Sequence, residues 1–126
     1  MGLTLHVLED RFAVCRLAPS EPVPAWAWSG AFASVTRTPE ELSVVCLASA
    51  VPDGIACSDG WRALQVHGPL DFSLVGILAA LSAVLAHVEV SLFAVSTYDT
   101  DYLLVREGEL GKAVAALRGA GHAVEG

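Results

Sequence analysis

The chain has 126 residues, of which 54% are hydrophobic and 17% are charged. This composition excludes a disordered chain and supplies ample apolar surface for a folded core. Its 14 acidic and 7 basic side chains give a net charge of −7, which offers no electrostatic basis for binding nucleic acid or anionic lipid. We therefore expect no nucleic-acid partner.

The cysteines and the lack of a targeting signal favour a cytoplasmic protein. Cys15, Cys46 and Cys57 are odd in number and widely spaced, which is atypical of a disulfide framework. No signal peptide is predicted, because the N-terminus lacks a basic start followed by an apolar core. The uncharged residues 72–88 are bracketed by Asp71 and Glu89 and contain polar side chains, so we expect a buried helix and no membrane partner.

The first half is predicted to consist of short strands joined by turns. Apolar patterns between polar or proline-rich segments predict strands over residues 3–8, 12–17, 32–36 and 43–47. The polar residues 9–11 predict a turn, and residues 24–28 have room only for a short helical turn. Residues 38–41 have the composition of a helix start or a tight turn. Breaks at residues 52–54 and 58–60 predict a boundary between two units.

The second half has a more regular pattern. Strands are predicted over residues 62–67, 90–96, 102–106 and 122–125. A helix capped by Asp71 or Ser73 is predicted to run to about Ala86, with large apolar residues at helical spacing on one face. A second, amphipathic helix is predicted over residues 109–118. The order β-α-β-β-α-β is that of a ferredoxin-like fold, with an antiparallel sheet and both helices on one face.

An internal repeat extends this fold to the first half. Residues 34–45 superpose without a gap on residues 94–105, sixty positions on, which places Glu41 opposite Asp101. Trp26 and Trp28 stand where the second half has its long helix, and core anchoring is the favoured role for their rings. We therefore predict an α+β fold of two tandem ferredoxin-like units, residues 1–60 and residues 61–126, the first with shortened helices.

A polar cluster at residues 96–101 lies between two apolar runs and is a candidate small-molecule site. Asp99 and Asp101 suit an ammonium or guanidinium group, with which carboxylates form charge-assisted hydrogen bonds. The same cluster has the composition of an ordinary solvated turn, and from these residues alone the turn is the favoured interpretation.

The connection after the strand at residues 62–67 is a second candidate. Gly68 precedes a predicted helix start, where free backbone N–H groups can receive a carboxylate such as that of an amino acid. Asp71 or Ser73 could instead cap the helix and compete with a ligand anion. Taken alone, the connection favours this simpler interpretation.

No residue pattern in the sequence identifies a reaction. The four histidines are not paired at metal-ligand spacing with one another or with the cysteines, so no structural metal is expected. Cys57 is the cysteine expected to be exposed, but no basic neighbour in the sequence marks it as an activated thiolate. Phosphate-loop, dinucleotide-binding and nucleophile-elbow spacings are absent. An enzyme using Asp99 and Asp101 as acid and base is the least favoured hypothesis.

Five segments together resemble the small bacterial ACT-domain proteins of the CASTOR type. They are residues 24–27 (PAWA), 36–45 (TRTPEELSVV), 61–64 (WRAL), 68–73 (GPLDFS) and 96–105 (STYDTDYLLV). ACT domains are ferredoxin-like regulatory modules that typically bind amino acids at interfaces between paired domains. The resemblance implies two such units in this chain, and a homodimer would restore the four units that the CASTOR-type arginine sensors carry.

The resemblance also implies a ligand site. In those sensors the ligand touches a strand-to-helix connection and a segment of Ser-Thr-aromatic type. Matching these motifs to this chain gives the ligand-binding residues Gly68, Asp71, Thr97, Tyr98, Thr100 and Asp101. Asp101 would face a cationic group, so the implied ligand is an amino acid, with a cationic one favoured, and no cofactor is implied. The first half departs from the motif at residues 37–41, so a second equivalent site and arginine specificity are not implied.

Two functions follow from the resemblance. The first is a noncatalytic amino-acid-binding regulatory protein that acts as a homodimer. The alternative is a protein-interaction or dimerisation module that has kept the ACT architecture without a ligand, because a fold alone does not confer a function.

Overall fold

The computed structural model describes residues 2–68 and 75–126. Seven strands and two α-helices are present in this part of the chain. In chain order they are β1 (Thr4–Leu17), β2 (Ser34–Arg37), β3 (Leu42–Leu47), β4 (Ala56–Val66), α1 (Ile77–His87), β5 (Phe93–Ser96), β6 (Asp101–Arg106), α2 (Leu110–Gly119) and β7 (Ala123–Glu125). The predicted α+β class is confirmed, and the β1–β3, β2–β3 and β5–β6 pairs are antiparallel.

The chain divides into two compact units. The N-terminal unit is Asp10–Trp61, and the C-terminal unit combines Met1–Glu9 with Arg62–Gly126. β1 and β4 each contribute residues to both units. The division after Trp61 falls one residue beyond the predicted boundary, while the first nine residues belong with the second half, because Thr4, Leu5 and His6 pair in parallel with β7.

The N-terminal unit is a small sheet covered by single 3-10 turns. β3 pairs with β1 on one side and with β2 on the other, and the 3-10 turns are Ala25–Trp28 and Ala48–Ala50. The expected short helical turn is thus confirmed, and residues 10–61 contain no α-helix. Trp26 packs on the core, as expected. Trp28 is 60% exposed, so its predicted anchoring role is wrong.

The N-terminal core has two parts. Ala13, Cys15, Ala27, Leu42, Val44 and Cys46 form a buried cluster. Phe12 points the other way along β1, since neighbouring strand residues face opposite sides, and its ring meets that of Phe32 edge-on at 5.7 Å. Both aromatic side chains are buried, so this part of β1 is covered on its two faces.

The C-terminal unit follows the predicted β-α-β-β-α-β order from β4 to β7. Its strands lie in the order β7, β1, β4, β6, β5. Ile77, Leu81 and Leu85 recur at four-residue intervals on α1, so they form one buried face. They join a core that contains Leu5, Val7, Leu64, Val66, Ile77, Leu81, Leu85, Val90, Leu103, Val105, Ala113, Leu117 and Val124.

Two predicted breaks and one predicted helix start differ from the structure. Residues 9–11 do not form a turn, because β1 continues unbroken through them with their side chains exposed or partly exposed. Residues 58–60 likewise lie inside β4. Residues 75 and 76 precede α1, where Gly76 has a φ of +80° and so cannot continue a right-handed helix. The predicted caps Asp71 and Ser73 lie outside the described residues.

Candidate functional site

The predicted polar cluster forms a four-residue turn between β5 and β6. The two strands close where Ser96 pairs with Asp101, which leaves residues 97–100 as the turn. The Thr97 N–H donates to the Thr100 carbonyl at 2.8 Å. The Thr97 hydroxyl donates to the same carbonyl at 3.0 Å and accepts from the Thr100 N–H at 3.2 Å. One threonine side chain therefore holds both ends of the turn.

Thr100 attaches this turn to the end of β4. Its hydroxyl donates to the Val66 carbonyl at 2.6 Å, and its side chain is buried. The next residue of the chain, His67, donates its backbone N–H to the Thr4 carbonyl at 2.7 Å. Because Gly68 follows directly, the structure brings the turn beside the strand end that leads into the predicted connection.

The remaining side chains of the turn face outward. Asp101 is partly exposed, and its Oδ1 accepts a hydrogen bond from the Ser96 hydroxyl at 2.6 Å. Tyr98 is 81% exposed and Asp99 is exposed as well. A carboxylate and an aromatic ring on one turn are the groups that attract an ammonium or guanidinium ion, through charge-assisted hydrogen bonds and cation–π contact.

The predicted residues thus fall into three groups. Thr97 and Thr100 hold the turn, and the Thr100 hydroxyl is already used within the protein. Tyr98 and Asp101 present side chains to the surface, and Gly68 is partly exposed at the strand end. Asp71 lies outside the described residues.

The N-terminal unit contains the same turn in the β2–β3 hairpin. The Thr38 N–H donates to the Glu41 carbonyl at 2.9 Å. The Thr38 hydroxyl donates to that carbonyl at 3.4 Å and accepts from the Glu41 N–H at 3.1 Å. These are the three hydrogen bonds that Thr97 and Thr100 make, and residues 38–41 therefore form a tight turn rather than a helix start.

The strand registers align the two hairpins with an offset one residue shorter than the sixty positions of the sequence superposition. Arg37 pairs with Leu42 at the end of the first hairpin, and Ser96 pairs with Asp101 at the end of the second. The equivalent of Asp101 is therefore Leu42, and the predicted match with Glu41 is wrong. An apolar, buried residue thus stands in the N-terminal unit where the C-terminal unit has its carboxylate.

Two of the three cysteines are buried. Burial raises the pKa of Cys15 to about 12, with smaller contributions from Cys46 and Cys57, so this thiol stays protonated at neutral pH. Burial also raises the pKa of Cys46. Cys57 is exposed, as expected. Within residues 2–68 and 75–126, no group of three His, Cys, Asp or Glu side chains could hold a metal ion.

Some polar contacts were not predicted from the sequence. The Ser96 hydroxyl lies on Asp101, a pairing that follows only from the hairpin register. His122 is buried and its Nδ1 accepts the Leu3 N–H at 3.0 Å, so this histidine fixes the first strand. Arg62, Leu64 and Val66 occupy alternate positions of β4, and Leu64 and Val66 are buried. Because alternate strand residues share a face, this spacing is the sequence signal that Arg62 faces the core side.

The fold and the turn define a small α+β domain in which a polar hairpin turn lies at the end of a sheet with both antiparallel and parallel strand pairs. A family model of the ACT domain matches residues 56–119, just over half of the chain. A second family model, of an N-terminal domain, matches residues 10–54. The chain belongs to the ACT domain family.

Known proteins resemble either the whole chain or part of it. A crystal structure of a protein from Agobacterium tumefaciens is 38% identical with a TM-score of 0.93, covering 98% of this chain and 92% of that one. The cytosolic arginine sensor for mTORC1 subunit 1 of Mus musculus is 37% identical over 59 residues, which are 46% of this chain and 18% of the sensor. The chain therefore matches less than a fifth of that curated relative.

The fold also occurs in an enzyme's regulatory subunit. The ligand-free regulatory subunit of aspartate kinase from Thermus thermophilus has a TM-score of 0.64 at 10% identity, covering 91% of this chain and 97% of that one. At this identity the likeness concerns the fold alone. Among the described helices of our chain, none has the length and apolar character needed to cross a membrane.

Proposed function

We propose that this protein is a noncatalytic regulatory protein that binds an amino acid through its ACT domain. The family match supports this proposal, as does the likeness of part of the chain to an arginine sensor. The observation that carries it is the hydrogen bond from Thr100 to Val66, which joins the polar turn to the strand end before Gly68. The turn therefore lies beside Val66, two residues before Gly68, where the predicted connection begins.

The site assigns a different part of the ligand to each segment. The connection that begins at Gly68 and contains Asp71 would receive the ligand carboxylate on its backbone N–H groups. Asp101 would accept hydrogen bonds from a cationic side chain or ammonium group, and the Tyr98 ring would cover it. Thr97 and Thr100 would hold the turn so that its backbone atoms orient the ligand. A cationic amino acid suits this site best.

We further propose that the chain is a tandem ACT protein of the CASTOR type, in which the two compact units, Asp10–Trp61 and Met1–Glu9 with Arg62–Gly126, are the two ACT units. The three shared hydrogen bonds of the Thr38 and Thr97 turns support a common origin of the two halves. In the N-terminal unit, 3-10 turns stand at the two places where the C-terminal unit has helices. Leu42 at the position of Asp101 favours one ligand site per chain.

A cytoplasmic homodimer is the proposed functional form. Val75 and Tyr98 are 89% and 81% exposed, so a contact between two copies of the chain would have apolar and aromatic surface to bury. A second copy that covers them would complete the open side of the ligand site with protein. Ligand binding would then stabilise the dimer by mass action.

Calorimetry on matched carboxylate variants tests the proposed site. We expect one or more of the twenty amino acids to bind the natural chain. Asp101→Asn should weaken the binding of a cationic amino acid by about tenfold or more. Asp99→Asn is the matched control, because it removes the same charge from an exposed position of the same turn. Equal weakening by both variants would indicate long-range charge only and would refute the assigned role of Asp101.

The exposed side chains also support a second candidate, a dimerisation module without a ligand. Sedimentation measurements on Tyr98→Ser and on the natural chain distinguish the two. A chain that dimerises through Tyr98 and binds no amino acid would be such a module. A chain whose dimer tightens when an amino acid is added would be a sensor.

A further inference from the structure

A groove runs along α2 in the C-terminal unit and is not used by the proposed function. Its volume is about 520 Å³, which is within the range of about 300–1,000 Å³ typical of small-molecule sites. Val7 and Val124, both core residues, lie on its sheet side, and Leu110 and Val114 lie on its helix side. None of the hairpin-turn residues contributes to its lining.

Two arginines give this apolar groove a positive character. Arg62 and Arg118 are two of the seven basic residues of the chain, and both line the groove. Arg62 donates from Nη2 to the Leu8 carbonyl at 3.1 Å, and Arg118 donates from Nη2 to the Val124 carbonyl at 2.7 Å. One nitrogen of each guanidinium thus donates to a backbone carbonyl, which fixes the orientation of the group. A guanidinium has five N–H donors in all.

The Arg62 guanidinium contains an unpaired buried donor. Its Nε is buried and has no hydrogen-bond partner among the described residues. A buried donor without an acceptor costs free energy, so the described residues do not fully satisfy the Arg62 guanidinium. Glu125 is the only acidic side chain of the lining, and no ion pair joins it to either arginine in the described structure. Among the described lining residues, the ionisable side chains are therefore two arginines and one glutamate.

We propose that this groove binds a small organic carboxylate with an apolar body. The carboxylate would accept hydrogen bonds from the Nη groups of Arg62 and Arg118, because a planar guanidinium matches the two oxygens of a carboxylate. The apolar body would lie against Val7, Leu110 and Val114.

Amide NMR spectra test this site with 3-phenylpropanoate as the probe and the uncharged 3-phenylpropanamide as its matched analogue. We expect the acid to cause saturable changes at the amides of Val7, Val114 and Val124. The amide analogue and the Arg62→Gln variant should each show binding weaker by about tenfold or more, because the charge-assisted hydrogen bonds are lost. Lys112→Gln is the control, since Lys112 is exposed on α2, pairs with Glu109 and does not line the groove.

A variant that fills the groove keeps the test decisive if Arg62→Gln fails to fold. A β-carbon added at Gly111 meets no atom within 4 Å, and glycine is the weakest helix former after proline, so Gly111→Phe should fold and occupy the groove. It should abolish binding of 3-phenylpropanoate while leaving the turn site unchanged. The proposal is overturned if the acid and its amide bind equally, if Gly111→Phe binds the acid as the natural chain does, or if about 10 mM acid leaves these amides unperturbed.

Discussion

Replacement of Thr100 by valine tests whether the turn is attached to β4 as the structure indicates. The Thr100 side chain is 6% exposed, and its hydroxyl donates to the Val66 carbonyl at 2.6 Å. Valine has nearly the same shape but no donor, so the variant loses the hydrogen bond and leaves a buried carbonyl with one partner fewer. Removing one partner of a buried hydrogen bond costs about 1–3 kcal/mol, and we expect a loss of about 2 kcal/mol in the free energy of unfolding.

Urea unfolding followed by tryptophan fluorescence measures this loss. With a denaturant slope of about 2 kcal/mol per molar, the midpoint of Thr100→Val should fall by about 1 M with no change in slope. Thr100→Ser is the control, because it keeps the hydroxyl and removes one methyl group, which costs about 0.8 kcal/mol. The reasoning is refuted if Thr100→Val is as stable as the natural chain, or if Thr100→Ser is the less stable of the two variants.

Three further predictions concern the turns and the buried thiol. Thr38→Ala and Thr97→Ala should each lower the free energy of unfolding by about 1 kcal/mol, since each removes the two hydroxyl bonds that close its turn, although Thr38→Ala also loses the bond from the Glu40 N–H. Urea midpoints that differ widely would contradict the shared turn. Gly30 and Gly54 have φ values of +90° and +88°, but only at Gly30 would an added β-carbon lie 2.6 Å from a leucine γ-carbon. Gly30→Ala should therefore lower the melting temperature more than Gly54→Ala, and equal shifts would contradict that contact. The pKa of Cys15 is raised from 9.0 to about 12, so between these pH values the folded state keeps the thiol proton that the unfolded state releases. The free energy of unfolding therefore falls as pH rises from 9 toward 12. Between pH 8 and pH 10, under reducing conditions, the natural chain should lose about 1.4 kcal/mol more than Cys15→Ala, and equal losses would contradict this.

The hairpins and helices of the C-terminal unit could be predicted because their residues show clear periodicity. Ile77, Leu81 and Leu85 follow the helical spacing, and residues 102–105 of β6 are a continuous apolar run. Residues 9–11 could not be assigned correctly in the same way. Their composition is typical of a turn, yet a strand accepts polar residues wherever its side chains reach solvent, and β1 does so there.

The attachment of the candidate site was not accessible from the sequence. The Thr100 bond to Val66 spans 34 positions and depends on β6 lying next to β4, which no local pattern specifies. The sequence match aligns two acidic residues, Glu41 and Asp101. The hydrogen-bond register instead aligns Thr38 with Thr97, so the predicted offset between the two halves is one residue too long. The parallel pairing of β1 with β7, which brings the first residues to the C-terminal unit, is likewise a long-range contact.

The most direct test of the amino-acid-binding account is an amide NMR titration of the natural chain with each of the twenty amino acids. We predict that at least one amino acid causes saturable changes at the amides of Gly68, Thr97 and Tyr98, and that these changes are independent of the groove along α2. If no amino acid at about 10 mM perturbs these amides, the account is contradicted.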